Sequence, residues 1–305
     1  MNVTFKQLRV FVVLAQTGNL ADAAAQLCIS KAAVSMSLQE LERQLDCRLF
    51  ERVRNRLQLN TQGRQLLPLG DELLQRLDGI QGLFQREERA SGQLRLGASH
   101  TVGNYLLPQL MADFLRQHPA TEFRVQIDNT RALAAGLQDF CLDLVLVEGE
   151  LSPEGVHQFE WMEDALQVIA APSHPLASRA RLTMADLEGE RWLLRELGSG
   201  SREQFHRLIG SHLQDWRLVM ELNTTESLLN SVACGLGLCF ISKLAITSAV
   251  SEGRVAVLNL EPAMRRYLRL AVHQDKYLHP TLQTFLAFCR QWRPAPGDVA
   301  MGLAG

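Results

Sequence analysis

The feature that most constrains this chain is a pair of short helices predicted near its N-terminus, at residues 20–27 and from residue 31 onward. Asn19 is a good N-cap for the first helix, and Asp22 completes an acidic variant of the capping box. Ser30 is placed to cap the second helix, whose apolar residues recur at the spacing of one buried face: Val34, Leu38, Leu41 and Leu45. A three-residue break between two such helices is typical of a helix-turn-helix, in which the second helix enters the major groove of DNA.

The exposed face of the second helix carries the first candidate DNA contacts. Its side chains are mostly small, so the long hydrogen-bonding groups that read base edges are largely missing. We expect Lys31 and Ser35 to supply the few direct contacts. Methyl groups of Ala32 or Met36 can contact thymine. Phosphate contacts and the shape of the DNA would supply the remainder of the recognition. The candidates on this helix are Ser30, Lys31, Ala32, Ser35, Met36 and Gln39.

A basic hairpin is predicted directly after these helices. Leu49-Phe50 and residues 57–59 are predicted as two short strands around a turn at residues 54–56. Such a wing can lay arginines along phosphates or into the minor groove, and the alternative is a solvated basic hairpin. The candidate contacts on the wing are Arg52, Arg54 and Arg56.

The charge of the chain is unevenly distributed. Residues 1–65 hold nine lysines and arginines against five acidic residues, a net charge of +4, so the remainder of a chain with a total of −2 carries −6. A basic head on an acidic body indicates that only the head approaches a polyanion. We expect that polyanion to be double-stranded DNA.

Length and composition exclude several classes of protein. A chain of 305 residues, with 47% hydrophobic and 21% charged residues, is typical of a globular protein with two or three domains. No signal peptide is recognisable and no apolar stretch approaches the roughly 18 residues of a membrane span, so we expect a cytoplasmic protein without membrane contact. The six cysteines are scattered without a C-x-x-C motif, so we expect reduced thiols, with a redox switch as the alternative.

A long helix is predicted from Thr61 to about residue 88. Its apolar seam alternates at spacings of four and three: Leu66, Gly70, Leu73, Leu77, Ile80 and Phe84. Such a helix needs a partner, and homodimerisation would present paired recognition helices to two half-sites.

The rest of the chain alternates strands with helices. A first set lies between residues 93 and 149, a second between 165 and 242, and a last strand and helix follow at 267–292. This alternation predicts an α/β body with parallel sheets and helices on both faces.

Polar residues follow the strands of the first set. Ligands of open parallel sheets sit beyond the carboxyl ends of the strands, against helix N-termini. The candidate ligand contacts there are Ser99, His100, Thr101, Thr130 and Glu148.

The second set contains the loop GSGSR before a predicted helix from Arg202. Its glycines allow backbone N–H groups to converge on an anion, and its serine and arginine add donors. The candidates in this set are Gly198, Ser199, Gly200, Ser201, Arg202, Thr224 and Thr225. Two donor-rich helix ends at one cleft favour a small anionic metabolite or inorganic oxyanion, with simple helix capping as the alternative. Glu148 would repel an anion unless it pairs with Arg202 or His100.

No catalytic residue, metal ligand or cofactor site is predicted. None of the eight histidines lies in H-E-x-x-H, and no serine lies in G-x-S-x-G. GLGLC at residues 235–239 lacks the rest of a phosphate-binding fingerprint and is better interpreted as a helix end. We therefore expect a protein that is not an enzyme. A stand-alone solute-binding protein would explain the body but not the basic head.

Residues 1–90 resemble the winged helix-turn-helix and linker helix of LysR-type transcriptional regulators. The matching positions are Phe11-Val12, residues 19–24, Leu27, Ile29-Ser30, residues 32–35, Leu41-Glu42, Leu45, residues 48–52, Leu59, Thr61 and Gly63. The family usually carries Gln in place of Lys31, and commonly Arg or His with Gln in place of Met36 and Ser37. This chain therefore departs from the family on the face that would read bases.

The body resembles the LysR effector-binding domain, a two-lobed α/β domain with the fold of type 2 periplasmic binding proteins. The implied division is a winged helix-turn-helix at 1–60, a linker helix at 61–90, an effector-binding domain at 91–293 and a tail at 294–305. Lobe I would comprise residues 91–163 and 268–293, and lobe II residues 164–267.

The resemblance also implies how such a protein works. It implies a homodimer through the linker helix and a homotetramer, and it leaves RNA polymerase open as a further partner. Phosphorylated sugars or sulfur oxyanions are the implied effectors. The predicted function is a sequence-specific DNA-binding regulator controlled by a small anionic ligand. The alternative is a cytoplasmic solute-binding or redox-sensing regulator without an anionic effector.

Overall fold

Three short helices build the core of the N-terminal head in the computed structural model, which describes residues 2–53, 56–82, 92–151 and 155–294. They are α1 (Phe5–Thr17), α2 (Leu20–Leu27) and α3 (Lys31–Leu45). The predicted caps are confirmed, since the Asn19 side chain accepts from the amides of Ala21 and Asp22, and Ser30 accepts from that of Ala33. The buried faces of the three helices meet around Phe11, Leu14, Val34 and Leu41.

The predicted hairpin follows as β1 (Phe50–Val53) and β2 (Arg56–Leu59), which pair antiparallel. Phe50 anchors it to the helices through an edge-to-face contact with Phe11, with ring centroids 5.6 Å apart. The turn residues Arg54 and Asn55 lie outside the described residues, so the predicted contact at Arg54 is not placed.

The linker helix α4 (Thr61–Gly82) packs along α1. Gly70 allows the close approach, because a Cβ there would lie 3.2 Å from Val12 Cγ2. The predicted seam is divided between the two faces of α4. Leu66 and Gly70 face the head, whereas Leu73 and Ile80 are 44% and 54% exposed. Leu69, which the predicted seam did not include, is 58% exposed. Phe84 and the predicted extension to residue 88 lie outside the described residues.

The body is built on one seven-stranded sheet. Its order is β10-β6-β11-β5-β3-β4, with β9 also paired to β6. The strands are β3 (Gly92–Ala98), β4 (Thr121–Ile127), β5 (Leu144–Glu148), β6 (Val156–Ala170), β9 (Cys239–Ser242), β10 (Ala256–Leu258) and β11 (Met264–His273). The expectation of parallel sheets is correct for β3, β4 and β5 and for a separate pair of strands in lobe II. It is wrong for β6, β9, β10 and β11, because β6 and β11 pair antiparallel with each other and with their other neighbours.

The antiparallel pairs arise because the chain crosses between the lobes twice, in opposite directions. β6 has 15 residues, enough to leave lobe I and enter lobe II, and β11 brings the chain back beside it. The predicted crossing points near residues 163 and 267 fall within these two strands. The two lobes are therefore joined by a pair of hydrogen-bonded strands.

Lobe II adds a parallel pair, β7 (Arg191–Arg195) and β8 (Arg217–Leu222), and a core around Trp192 and Phe205. The helices of the body are α5 (His100–Tyr105), α6 (Leu107–Gln117), α7 (Thr130–Gln138), α8 (Gly200–Leu208), α9 (Thr225–Ala233), α10 (Thr247–Ser251) and α11 (Pro280–Gln291). α8 begins at Gly200, two residues earlier than predicted, so part of the glycine-rich loop is the first turn of a helix.

Gly63 should be the least replaceable glycine of the head. A Cβ at this position would overlap the backbone carbonyl of Leu49 and come within 2.7 Å of Leu59 Cδ2. We expect Gly63→Ala to lower the free energy of unfolding by about 1–3 kcal/mol. Gly79→Ala on the same helix meets nothing within 4 Å and should stabilise by about 0.5–1 kcal/mol. Urea denaturation measures both, and equal effects would contradict the packing described for Gly63.

Candidate functional site

The exposed face of α3 carries most of the candidate DNA contacts. Ser30, Lys31, Ala32, Met36 and Gln39 are exposed, and Ser35 is half-buried. Within the described part of the chain, no carboxylate lies within ion-pair distance of Lys31, so its charge faces solvent. On the wing, Arg52 and Arg56 are exposed as predicted.

Glu148 forms hydrogen bonds with residues of both lobes. It ends β5 and is 3% exposed. Its Oε1 accepts from the backbone amide of Thr101 at 3.0 Å, and its Oε2 accepts from Ser201 Oγ of lobe II at 3.1 Å. The cation that pairs with Glu148 is Arg266, with Nη1 3.4 Å from Oε2. The sequence analysis had named Arg202 or His100 as the cation that would pair with Glu148.

Arg266 lies on β11 and is shared by two carboxylates. Its side chain is fully buried, and its Nε donates to Asp164 Oδ2 at 2.8 Å. Asp164 is its direct partner across the β6–β11 ladder. The guanidinium also donates to Ser201 Oγ at 3.0 Å, while Ser242 Oγ donates to Asp164 Oδ1 at 2.7 Å. The cluster thus joins β5, β6 and β11 to the first turn of α8.

The two carboxylates respond differently to their burial. Burial opposes ionisation of Glu148, but Arg266 and the donors of Thr101 outweigh it and lower the pKa of Glu148. At Asp164 burial prevails over Arg266 and raises the pKa. Of the two acids, Glu148 is therefore the one held more firmly in its charged form.

Two predicted ligand contacts are buried hydroxyls without a partner. Ser99 Oγ and Thr130 Oγ1 find no hydrogen-bond partner among the described residues. Neither serves as a helix cap through its side chain, since Ser99 makes no cap bond and the cap of α7 is Asn129, which accepts from Ala132 at 3.0 Å. A buried hydroxyl left unpaired costs about 1–3 kcal/mol, so these two groups require an explanation.

The glycine-rich loop of lobe II lies directly against lobe I. The carbonyl of Gly198 accepts from the amide of Arg131 at 3.2 Å. A Cβ on Gly200 would overlap the backbone of Glu148 and come within 3.1 Å of Thr130 Oγ1. Gly198 also has a φ of 92°, in the left-handed region that favours glycine. Ser199 and Ser201 are both buried in this contact.

The remaining predicted contacts are placed differently. Arg202 donates to the carbonyl of Arg195 at 3.0 Å and pairs with Glu221, so it lies against β8 rather than beside Glu148. Thr224 caps α9 by accepting from Ser227 at 3.2 Å. Thr225 is buried in the first turn of that helix. His100 is half-buried, and its pKa is lowered by burial and by Arg195.

Three charged residues of this region were missed by the sequence reasoning. Arg195 is 7% exposed, pairs with Glu196 at 2.8 Å, and acts on the pKa of both His100 and Glu148. Asp164 and Arg266 lie within the crossing strands, whereas the predicted ligand contacts lie in loops at strand ends. The sequence carried no clear signal for these two residues, because β6 also contains Glu160 and Glu163 and β11 also contains Arg265 and Arg269.

Two family descriptions match this chain. Residues 5–64 match "Bacterial regulatory helix-turn-helix protein, lysR family", and residues 87–294 match "LysR substrate binding domain". The chain belongs to the LysR family of transcriptional regulators. It is therefore a DNA-binding regulator with an effector-binding domain, and it comes from a family of oligomeric regulators.

The similarity to related regulators covers nearly the whole chain. It is 34% identical over 290 residues to the uncharacterized HTH-type transcriptional regulator YeiE of Escherichia coli K12, covering 95% of this chain and 98% of that one. It is 32% identical to the RuBisCO operon transcriptional regulator of Allochromatium vinosum, covering 94% and 96%.

Solved structures share the fold of this regulator. A full-length OxyR variant from Pseudomonas aeruginosa superposes with a TM-score of 0.72 at 22% identity, covering 99% of this chain and 96% of that one. The regulatory domain of CcmR from Synechocystis PCC6803, in complex with 2-PG, has a TM-score of 0.62 at 26% identity and covers 66% and 96%. Among the helices that the structure describes, none is long and apolar enough to cross a membrane.

Arg266 should be essential for the stability of the effector domain of this LysR-type regulator. Arg266→Met would leave Asp164 and Glu148 buried without their cation, so we expect a loss of about 3–5 kcal/mol in the free energy of unfolding. Arg265→Met is the control, because Arg265 pairs with Glu163 on the exposed face of the same strand and should cost little. Urea denaturation compares the two, and similar losses would refute the role given to Arg266.

Proposed function

We propose that this LysR-type regulator binds a small anion between its two lobes and that the bound anion changes how the protein holds DNA. The observation that carries the proposal is the pair of unpartnered buried hydroxyls, Ser99 Oγ and Thr130 Oγ1. They follow the adjacent parallel strands β3 and β4, where ligands of α/β sheets sit. A ligand with several acceptor oxygens would supply the missing partners.

The cation that can attract an anion at this site is Arg195, because Arg266 is already shared by Glu148 and Asp164. Burial lowers the pKa of His100, and Arg195, which ends β7 in lobe II, lowers it further. Glu148 is already paired with Arg266, so the repulsion that it would exert is partly cancelled. The complex of the similar CcmR regulatory domain with 2-PG supports a small-molecule site in the effector-binding domain. Candidate ligands are phosphorylated acids and sulfur oxyanions.

A redox signal is less well supported than an effector. Burial raises the pKa of Cys239 to about 12, and burial with nearby Asp139 raises that of Cys141 to about 11. Both therefore persist as thiols, which react slowly with oxidants. The exposed cysteines, Cys28 and Cys234, lie in the head and in lobe II respectively.

We infer that DNA is held mainly by charge and shape. Lys31 on α3 and Arg52 and Arg56 on the wing are exposed cations on neighbouring elements of the head. Ala32 and Met36 offer apolar contacts, and Met36 is 69% exposed. Few side chains on this face can form bidentate bonds to a base, so sequence preference would depend largely on the shape of the DNA.

Self-association has two candidate surfaces. The exposed stripe of α4, Leu69, Leu73 and Ile80, would pair two linker helices in a homodimer. The unpaired edges of β4 and β8 also expose apolar side chains and could join dimers into a homotetramer: Val125 and Ile127 on β4, and Leu218, Val219 and Met220 on β8.

Lys31 should contribute to DNA affinity through a phosphate. Lys31→Ala should weaken binding to the protein's own upstream DNA and reduce the slope of log K against log salt by about 1. Lys243→Ala, an exposed lysine of lobe II, serves as the control and should change neither. Electrophoretic shifts at several salt concentrations give both quantities. A loss confined to one base position, with the salt slope intact, would contradict the phosphate role.

Thr130 should contact the effector directly. We expect sulfite, sulfate, phosphoglycolate or a small carboxylate to raise the melting temperature, and Thr130→Val to weaken that ligand about fivefold by removing one hydrogen bond. Without ligand, Thr130→Val should be as stable as the native chain, because it removes an unpaired hydroxyl. Thr284→Val, on α11, is the control. If only cationic or apolar compounds raise the melting temperature, the anion proposal fails.

A further inference from the structure

Four charged side chains are buried between the linker helix and lobe I. Asp71 lies on α4, Arg95 on β3, Asp143 just before β5, and Lys276 after β11. The side chains of Lys276, Asp143 and Asp71 are 0%, 1% and 5% exposed, and that of Arg95 is 22% exposed. We call this set the charge cluster.

Each carboxylate of the charge cluster touches both cations. Lys276 Nζ lies 2.6 Å from Asp71 Oδ2 and 2.6 Å from Asp143 Oδ1. Arg95 Nη2 lies 3.2 Å from Asp71 Oδ1 and 2.5 Å from Asp143 Oδ1. The cluster is neutral as a whole, and Asp71 is its single member from the linker helix. Arg95 and Lys276 lower the pKa of Asp143 against the opposing effect of its burial.

Phe140 of lobe I packs beside the charge cluster and contacts the head. We call this interface of lobe I with the head and linker helix the junction. Its ring is 2% exposed and belongs to the hydrophobic core of the head. Its carbonyl accepts from Gln16 Nε2 of α1 at 3.0 Å and from Arg95 Nη1 at 2.8 Å. Its φ of 54° lies in the left-handed region, which is unfavourable for a bulky residue and is retained where the surroundings enforce it.

The three lobe I members of the charge cluster lie on, or within three residues of, strands that lead to residues of the cleft. β3 carries Arg95 and leads into Ser99. β5 begins directly after Asp143 and ends at Glu148. β11 carries Arg266 near its start and ends three residues before Lys276. These strands therefore provide a hydrogen-bonded backbone connection between the cleft and the charge cluster.

We propose that the charge cluster is a latch that holds the DNA-binding head against lobe I of its own chain, and that its state is coupled to the cleft through β3, β5 and β11. The coupling rests on the proposed effector site, whereas the latch itself does not. Charged contacts suit such a device. A lone charge left in a closed junction is costly, but the two halves of a neutral cluster are rehydrated when the junction opens.

The latch is tested by hydrogen exchange on the full chain bound to its upstream DNA, without any effector. Asp71→Asn/Lys276→Gln removes the ion pair across the junction and leaves Arg95 and Asp143 balanced, so the fold should persist. We expect exchange in segments 67–80 and 138–143 to rise at least tenfold, with α9 in lobe II unchanged, and the footprint on DNA to change in length or spacing. Lys276→Met, which leaves two carboxylates on one arginine, should have a larger effect on the same segments.

Asp78→Asn is the matched control. Asp78 lies on the same helix and pairs with Arg9 at 3.5 Å in an exposed contact, so its loss should change neither exchange nor footprint. The latch is overturned if the double variant exchanges like the native chain in both segments. It is also overturned if α9 loosens to the same degree, because the cluster would then stabilise the whole fold instead of one junction.

The coupling is tested separately from the cleft. Glu148→Gln should raise exchange in segment 67–80, whereas Glu160→Gln, on the exposed side of β6, should not. If exchange in segment 67–80 rises in the latch variants but not in Glu148→Gln, the proposed coupling is refuted and the proposed latch is retained. If no anion binds yet Glu148→Gln loosens segment 67–80, the identity of the effector is wrong and the latch is unaffected.

Discussion

The arrangement of the two lobes depends on one buried cation. Arg266 faces Asp164 across the β6–β11 ladder, at the place where both strands pass from one lobe to the other. Because a guanidinium offers five donors in one plane, it can satisfy Asp164 on the crossing strands, Glu148 of lobe I and Ser201 of lobe II together. Removing any of these groups would leave a charge or a hydroxyl buried without its partner. The relative position of the lobes is therefore tied to hydrogen-bond geometry as well as to apolar packing.

Local signals in the sequence predicted the head closely. The caps at Asn19 and Ser30 act over three residues, and the hairpin follows from neighbouring strands, so both can be recognised without knowledge of the rest of the fold. The same holds for most strands of the body and for the hydroxyls at their ends. The linker helix was predicted less well, because a seam read from periodicity alone cannot tell which apolar residues turn toward α1.

The charged clusters could not be predicted, because their members lie far apart in the sequence. Asp164 and Arg266 are separated by 102 residues, and Asp71 and Lys276 by 205. Each residue alone has the pattern of a solvated surface charge. The sheet order, with β11 beside β6, brings Asp164 and Arg266 together, and the packing of α4 against lobe I brings Asp71 to Lys276. The expectation of parallel sheets failed for the same reason, since the return of β11 is a property of the whole chain.

The two charged clusters differ in a way that suits their positions. The cluster at the cleft holds one arginine against two carboxylates, and burial raises the pKa of Asp164, so it carries an excess of acid that a proton can relieve. The cluster at the junction holds two cations against two carboxylates and is balanced without a proton. The cluster at the cleft is therefore electrostatically uneven, while the junction can open only by separating matched charges. Because β3, β5 and β11 run between the two clusters, the hydrogen-bonded backbone connects the uneven site to the balanced one.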